Sequence, residues 1–388
     1  MKAFIPVAAP TLKGNELKYV VECLSSNWIS SQGKFVTDFE ESFANFIGIK
    51  HAVSVANGTV ALSLALKTLG IGPGDEVIVP DFTFAATINA VFHVGATPVI
   101  VDIQRDSWCI DPLCVEKVIS KKTKAIIPVH IFGQVVEMSS IMDLAKQHHL
   151  YIVEDCAEAL GATWEGNSVG AFSDIACFSF FSNKIITTGE GGMCVTKSDQ
   201  LNDRLRVLRD HGMSKERKYW HDEVGFNYRM TNLQAAIGLA QMEQLDFFLK
   251  EREGIDEFYD HGFKNVPEFR SQLKLSRRRS TLWLKTYLLD SRYSVSLMIH
   301  KAKDKNIDIR AFFYPLSDMS IFKAYAPYFT AITHEISASG FCVPTSLSFS
   351  RDDYQRVIQV LKEVMESMRM DYFWNHDLSL PQGLPPNV

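Results

Sequence analysis

Four short runs of β-branched and aliphatic residues, EVIVP at 76–80, PVIVD at 98–102, KAIIPVH at 124–130 and YIVED at 151–155, recur at intervals that leave room for a helix between one and the next. Near-continuous apolar strands separated by amphipathic stretches mark a largely parallel sheet covered on both faces. Helical spacing is present in Leu17, Val20, Val21 and Leu24, and again in Ile141, Leu144, Ala145 and His148. The pattern predicts a large α/β domain over residues 1–250. From about residue 250 the rhythm changes to a charged helix (Glu251 to Tyr259), the run Arg277-Arg278-Arg279, read as a solvated surface turn, and weaker strand and helix signals up to Met370. A smaller α+β domain is expected over 251–370. Residues 371–388, rich in Pro, Gly, Asn and Asp, read as a flexible tail.

With 388 residues, 46% of them hydrophobic, the chain is long enough to bury two cores. A net charge of -5 lacks the basic footprint that phosphate-backbone binding requires, so nucleic acid is not expected as a partner. No uninterrupted apolar stretch approaches the roughly 20 residues that cross a bilayer, and the N-terminal sequence turns polar too early for a secretory signal. A cytoplasmic location without membrane insertion is expected. The seven cysteines are widely spaced and lack a CxxC pair, which argues for reduced core thiols rather than disulfides or zinc. His148 and His149 are adjacent rather than four apart, so no metal is expected either.

In ACFSFFSNKIITTGEGGMCV a strand pattern (Cys177 to Phe181) runs into Lys184, followed by a loop with Gly189, Gly191 and Gly192. Burial disfavours an ammonium, so a lysine held there is available as a nucleophilic amine for Schiff-base chemistry; a single lysine after an apolar run is more often a snorkelling surface residue. In VEDCAEALGA the strand delivers Asp155 to the carboxyl edge of the sheet, where open α/β sheets bind ligands. A carboxylate there pairs with a protonated pyridine nitrogen, or caps a helix. In VANGTVALSLALKTLG, Asn57, Gly58 and Thr59 open a helix whose first N–H groups suit a phosphate, although N-capping by Thr59 leaves the same trace. Together the three supply an aldehyde anchor, a ring-nitrogen partner and a phosphate cradle, the needs of one cofactor, pyridoxal 5'-phosphate (PLP).

NGTVAL, EVIVPDFTFAATINAV, GATPVIVD, VHIFGQ, VEDCAEALGA, FSFFSNKIITTGEGGM and GFNYRMTNLQAAIGLAQ, spread over residues 5 to 250, resemble the DegT/DnrJ/EryC1/StrS aminotransferases of sugar-nucleotide metabolism. SNWISSQGKFVTDFE, FSFFSNKIITTGEGGM and KYWHDEVGFNYRMTN are most similar to the GDP-perosamine-forming members. The resemblance implies the fold of aspartate aminotransferase, fold type I, with a mostly parallel seven-stranded sheet. It implies that Lys184 is the catalytic residue bonded to the PLP aldehyde, that Asp155 binds the ring nitrogen, and that Glu158 lies near the 3-hydroxyl. Phe84 or Phe82 would stack on the ring. Gly58, Thr59 and Ser179 would hold the phosphate, joined by Asn227 from a second copy, since the family forms homodimers that share active sites.

For the sugar nucleotide the same resemblance points to Trp28, Ser30, Ser31, Gln134 and Tyr314, and across the interface to Tyr228 and Arg229. The guanidinium of Arg229 suits a diphosphate or a donor carboxylate, with an Arg-Asp or Arg-Glu bridge at the dimer contact as the plain structural alternative. Two positions depart from the family pattern: Ser280 and Ser317 stand where histidines are usual. The implied reaction is a ping-pong transfer from L-glutamate to a nucleotide-linked 4-keto-6-deoxy sugar, first of all GDP-4-keto-6-deoxy-D-mannose, for an O-antigen-type surface polysaccharide. A UDP- or dTDP-linked acceptor is the alternative. The related sugar 3-dehydratases carry histidine at the Lys184 position, and a non-catalytic regulatory protein would not need Lys184, Asp155, Glu158 and Thr59 together.

Overall fold

The structure, a computed structural model, describes residues 3–376. Its central sheet has seven strands in the order His51–Val55, Gly192–Thr196, Ile175–Ser179, Tyr151–Asp155, Thr123–Ile126, Glu76–Pro80 and Thr97–Val101. Gly192–Thr196 runs antiparallel to both neighbours, and every other pairing is parallel. The strands expected at 76–80 and 151–155 have those limits. The one expected at 98–102 starts and ends one residue earlier. That expected at 124–130 stops at Ile126, two residues before Pro128, which has no N–H to continue a ladder.

Both faces of the sheet are covered because successive side chains point opposite ways. Val77, Val79 and Val153 enter one core, with Leu62 and Leu66 of helix Gly58–Thr68 and Leu205 and Leu208 of helix Asp199–Arg209. Ile78 and Ile152 enter the other, with Phe39 and Phe43 of helix Lys34–Ile47 and Ile141 of helix Met138–His148. These two layers explain why the strands read as unbroken apolar runs.

Helix Leu245–Phe263 leads to a second sheet, Phe269–Ser271, Lys285–Leu289, Gly340–Val343 and Arg310–Ala311 in spatial order, antiparallel throughout. Tyr259, Met298, Val357 and Leu361 build its core, which also takes Ile5 from the start of the chain. The arginine run is an exposed turn only at Arg277. Arg278–Arg279 pairs as a strand with Thr163–Trp164, and the guanidiniums of Arg277 and Arg278 lie 4.8 and 5.3 Å from the Trp164 ring centre. Helix Arg351–His376 runs past Asp371, where the irregular tail was expected to begin; residues 377–388 of that tail lie outside the described residues. All seven cysteines are free and six are buried. Among the described residues no helix is long and apolar enough to cross a membrane.

Candidate active site

A cavity of about 610 Å³ opens where the parallel strands end, and Gly58, Thr59, Phe84, Asp155, Glu158, Ser179 and Lys184 all line it. Each arrives by a local cause. Strand Tyr151–Asp155 ends at the Asp155 carboxylate, and no helix follows; Asp155 Oδ1 instead accepts from the N–H of Ala157 at 3.2 Å, closing a turn. Its other oxygen accepts from the Thr87 hydroxyl at 2.8 Å. Burial pushes this carboxyl up, against the pull of Thr87.

Strand Ile175–Ser179 stops two residues earlier than expected, so Lys184 sits on the loop beyond it. That loop is closed by Phe180, whose N–H donates to Gly191 at 2.8 Å and whose carbonyl accepts from the N–H of Thr188 at 3.0 Å. Lys184 Nζ lies 3.6 Å from Glu158 Oε1 and 3.8 Å from the centre of the Trp283 ring. Burial drives the lysine below its ordinary value, against the pull of Glu158 and Asp155, and pushes Glu158 up to about 7. Glu158 is fixed by the N–H of Phe132, donating at 2.7 Å.

The cradle at the start of helix Gly58–Thr68 is capped by Asn57, not Thr59: its side chain accepts from the N–H of Val60 at 3.0 Å. The N–H groups of Gly58 and Thr59 are left as donors of the first turn. Gly58 has to be glycine, because a Cβ there would stand 2.8 Å from the Cβ of Ser179.

Of the two phenylalanines expected to face a ring, Phe84 is 59% exposed in the cavity and Phe82 is fully buried against Phe132, Phe312 and Phe313. Residues two apart share a face only in an extended strand, and the chain bends at 81–83. Phe82 therefore belongs to the core. Gln134 is also buried: its Oε1 accepts from Ser280 at 2.7 Å and its Nε2 donates to the Leu273 carbonyl at 2.9 Å. Gln134 and Ser280 line a separate cavity of about 330 Å³. Ser317, the other departure, gives its N–H and hydroxyl to the buried Asp81, each at 2.7 Å. Tyr314 is 71% exposed.

Trp28, Ser30 and Ser31 lie on the segment between helices Glu16–Ser26 and Lys34–Ile47. Asn232, which the sequence reading passed over, organises it. Its Nδ2 donates to the Trp28 carbonyl at 2.7 Å, its N–H to the Ser30 carbonyl at 2.6 Å, and its Oδ1 accepts from Phe35 at 3.1 Å. Asn227, Tyr228 and Arg229 run beside the end of strand His51–Val55 and do not line this chain's own cavity. Arg229 bridges Asp210 at 2.9 Å, so the Arg-Asp pair weighed as an alternative is present, within the chain. The guanidinium that does line the cavity is Arg310, which reaches Asp308 only at 3.5 Å. It was missed because a two-residue strand leaves no periodic trace.

One trio has metal-ligand proximity among the described residues, His130, Glu154 and Cys156, with ligand atoms within 4.8 Å of one another. Its capacity is already used. His130 Nδ1 accepts from the N–H of Val136 at 3.1 Å, so Nε2 carries the proton and donates to Glu154 at 3.0 Å; Glu154 also accepts from Gly170 and Phe172. The trio braces the strand that ends in Asp155.

The cavity suits PLP on its own chemistry. It offers a buried amine for an aldehyde, a buried carboxylate for a ring nitrogen, N–H donors at a helix start for a phosphate, and in the Asn183 Oδ1 a buried acceptor without a hydrogen-bond partner. Fold and site define a PLP-dependent transferase of fold type I. Residues 10–362 match the model of the DegT/DnrJ/EryC1/StrS aminotransferase family, and the chain belongs to that family. It is 43% identical to the GDP-perosamine synthase of Caulobacter vibrioides over 93% of this chain and 98% of that one. It is 41% identical to the GDP-perosamine synthase of Vibrio cholerae over 92% and 98%. A putative sugar aminotransferase of Streptococcus pneumoniae, solved in its PMP form, superposes with a TM-score of 0.89 at 28% identity, covering 95% of this chain and 99% of that one. The protein is a PLP-dependent aminotransferase.

Proposed function

We propose that this aminotransferase transfers the amino group of L-glutamate to C4 of GDP-4-keto-6-deoxy-D-mannose, in the cytoplasm, as a homodimer, for a surface polysaccharide of the O-antigen type. The observation that carries the reading is the buried amine of Lys184 at the wall of one cavity with Asp155 and the start of helix Gly58–Thr68. The acceptor rests on similarity to the two GDP-perosamine synthases over nearly the whole of each chain.

When bound, PLP supplies the aldehyde that takes up the amino group and the electron-poor ring that stabilises a carbanion. Gly58, Thr59 and Ser179 would hold its phosphate, with Asn227 of the partner subunit; Asp155 would keep the ring nitrogen protonated, Glu158 would serve the 3-hydroxyl and Phe84 would cover the ring. Lys184 Nζ takes the α-proton of the donor amino acid, a step that burial favours by lowering the cost of its neutral form. Arg310 meets the donor's carboxylate. Trp28, Ser30, Ser31 and Tyr314 face the acceptor, together with Tyr228 and Arg229 of the partner subunit. Gln134, already engaged with Ser280 and Leu273, shapes the wall behind it. The division into a larger cofactor-binding part, residues 1–250, and a smaller part, 251–370, belongs to the same reading. The change of sheet type supports it, and helix Leu245–Phe263 straddles the boundary.

The test is spectroscopic and then chemical. L-glutamate should bleach the PLP absorption of the purified protein, and the bleached enzyme should convert GDP-4-keto-6-deoxy-D-mannose to its 4-amino sugar, seen by mass spectrometry. Faster turnover of a UDP- or dTDP-linked keto sugar would move the acceptor. No bleaching would remove L-glutamate as donor.

A further inference from the structure

We propose that Trp283 is a positioning residue for the transfer: its indole face holds the amine of Lys184 whenever that amine is not bonded to the cofactor aldehyde. The proposal rests on Lys184 being the aldehyde-binding lysine.

Each turn of the reaction sets the lysine free at the wall of the cavity on a flexible four-carbon stem. The charged groups that face it there are Glu158 and Asp155. Pairing with Asp155 would take the carboxylate from the ring nitrogen it serves. An aromatic face attracts a cation without carrying a charge, so it holds the ammonium and leaves Asp155 free. The Nζ to ring-centre distance of 3.8 Å is well inside the reach of that interaction.

The indole is held at its edge and on its face, and the Trp283 backbone is anchored as well. Nε1–H donates to the carbonyl of Asn183, the residue before Lys184, at 2.8 Å. The ring stacks on Phe132 at 5.8 Å with 15° between planes, and the N–H of the same Phe132 holds Glu158. The Trp283 carbonyl accepts from Arg252 and from the Thr345 hydroxyl, each at 3.1 Å. A closed circuit therefore runs from Lys184 through Asn183, Trp283 and Phe132 to Glu158, and places indole and carboxyl around one amine. Trp283 is 4% exposed, as an aromatic of the core would be; only the position of Nζ above the ring separates the two roles.

The experiment follows condensation of PLP with the cofactor-free full-length protein by absorbance, as a function of pH. The face stabilises the ammonium, so its loss lets the amine become neutral at lower pH. In Trp283→Leu the midpoint of the rate profile should fall by about one pH unit. Trp283→Phe, which keeps a face and loses the bond to Asn183, should stay near the wild type. Uniform 5-fluorotryptophan labelling, which thins the ring's electron density without changing its shape, should lower the midpoint in the wild type and not in Trp283→Phe. The proposal is overturned if Trp283→Leu superposes on the wild type, or if Trp283→Phe falls with Trp283→Leu, which would assign the effect to the Asn183 bond. Should Trp283→Leu not fold, the labelled protein decides, and an unmoved midpoint rejects the proposal. Lys184→Ala separates the two readings: condensation that persists in it sinks the role of Lys184 itself.

Discussion

Thr87 Oγ1 lies 2.8 Å from Asp155 Oδ2, and because its single proton goes to that carboxylate, the Thr83 hydroxyl 2.9 Å away must donate to Thr87 in turn. All three side chains are buried. The relay supports the charge on Asp155, which burial alone would push toward the neutral acid. A hydrogen bond to a charged group contributes about 1.5–3 kcal/mol. Thr87→Val should therefore weaken PLP binding about tenfold or more in a spectrophotometric titration. Thr87→Ser, which keeps the hydroxyl, should bind as the wild type does.

The phosphate cradle depends on the closeness of Gly58 to Ser179. A methyl at position 58 meets the Ser179 Cβ at 2.8 Å, so the helix start or the strand end has to shift. Overpacking of this kind costs about 1–3 kcal/mol. Gly58→Ala should lower PLP affinity by about tenfold and also lower the Tm of the cofactor-free protein; adding Ser179→Gly, which removes the opposing Cβ together with a hydroxyl of the cradle, should restore the Tm but not the affinity. Failure of the double variant to recover its Tm would move the cause from the clash to the backbone of the first turn.

The strands at 76–80, 98–102, 151–155 and 177–181 were legible in the sequence to within two residues, because mostly apolar side chains fit between two layers of helices, whereas the one at 124–130 was read past its end at Ile126. That Asp155, Lys184 and the turn of Gly58 and Thr59 come together was legible too, Asp155 from the end of its strand and Lys184 from the loop beyond Ile175–Ser179. The rest depends on chain paths that leave no periodic trace. Phe82 and Phe84 look alike until the bend at 81–83 separates them. Asn232 reads as part of a helix start, where Thr231 and Gln234 form a capping box, and only the fold turns its amide toward residues 28–35. Ser280 and Ser317 look like losses. The structure gives each a buried partner, Gln134 and Asp81.

Glu158 gives the cofactor-free protein a pH signature. Its carboxyl is held up to about 7 by burial, above the ordinary value of 4.5. A group raised in the folded state binds its proton more tightly there than in the unfolded chain, so its stabilisation is complete below the ordinary value and is lost as pH rises through 7. Glu158→Gln lacks that proton. The Tm of the cofactor-free wild type should fall more steeply between pH 6 and pH 8.5 than that of Glu158→Gln. Parallel curves would mean that the proton sits on Glu158 no more firmly than in the unfolded chain.

Arg310 is the guanidinium of this chain that lines the cavity, whereas Arg229 spends its charge on Asp210. Removing a charge-assisted bond to a carboxylate costs about 1.5–3 kcal/mol. Arg310→Gln should raise the KM for L-glutamate by about 10–100-fold, measured from the rate of bleaching. The second half-reaction, with the amino form of the enzyme and the keto sugar, should change far less. Arg310→Lys should recover part of the loss, since an ammonium keeps the charge and gives up the fork. If the keto-sugar step suffers instead, Arg310 serves the diphosphate.

Ser317 stands where family members usually carry histidine, and its two bonds to Asp81 give it a different task. Asp81 follows strand Glu76–Pro80 and opens the segment that carries Phe84 into the cavity, so the contact ties residues 316–318 to the cofactor side of the molecule. Thr330 donates to the same carboxylate, which burial pushes up and these donors pull down. Ser317→Ala leaves the backbone N–H in place but strips one donor from a buried acid, a loss of about 1–3 kcal/mol. The expected result is a Tm lowered by a few degrees, as such a loss gives in a chain of this size, with the PLP affinity of the folded protein nearly unchanged. A variant that keeps its Tm and loses keto-sugar turnover would instead return position 317 to the acceptor site, because a structural tie cannot be cut without loosening what it holds.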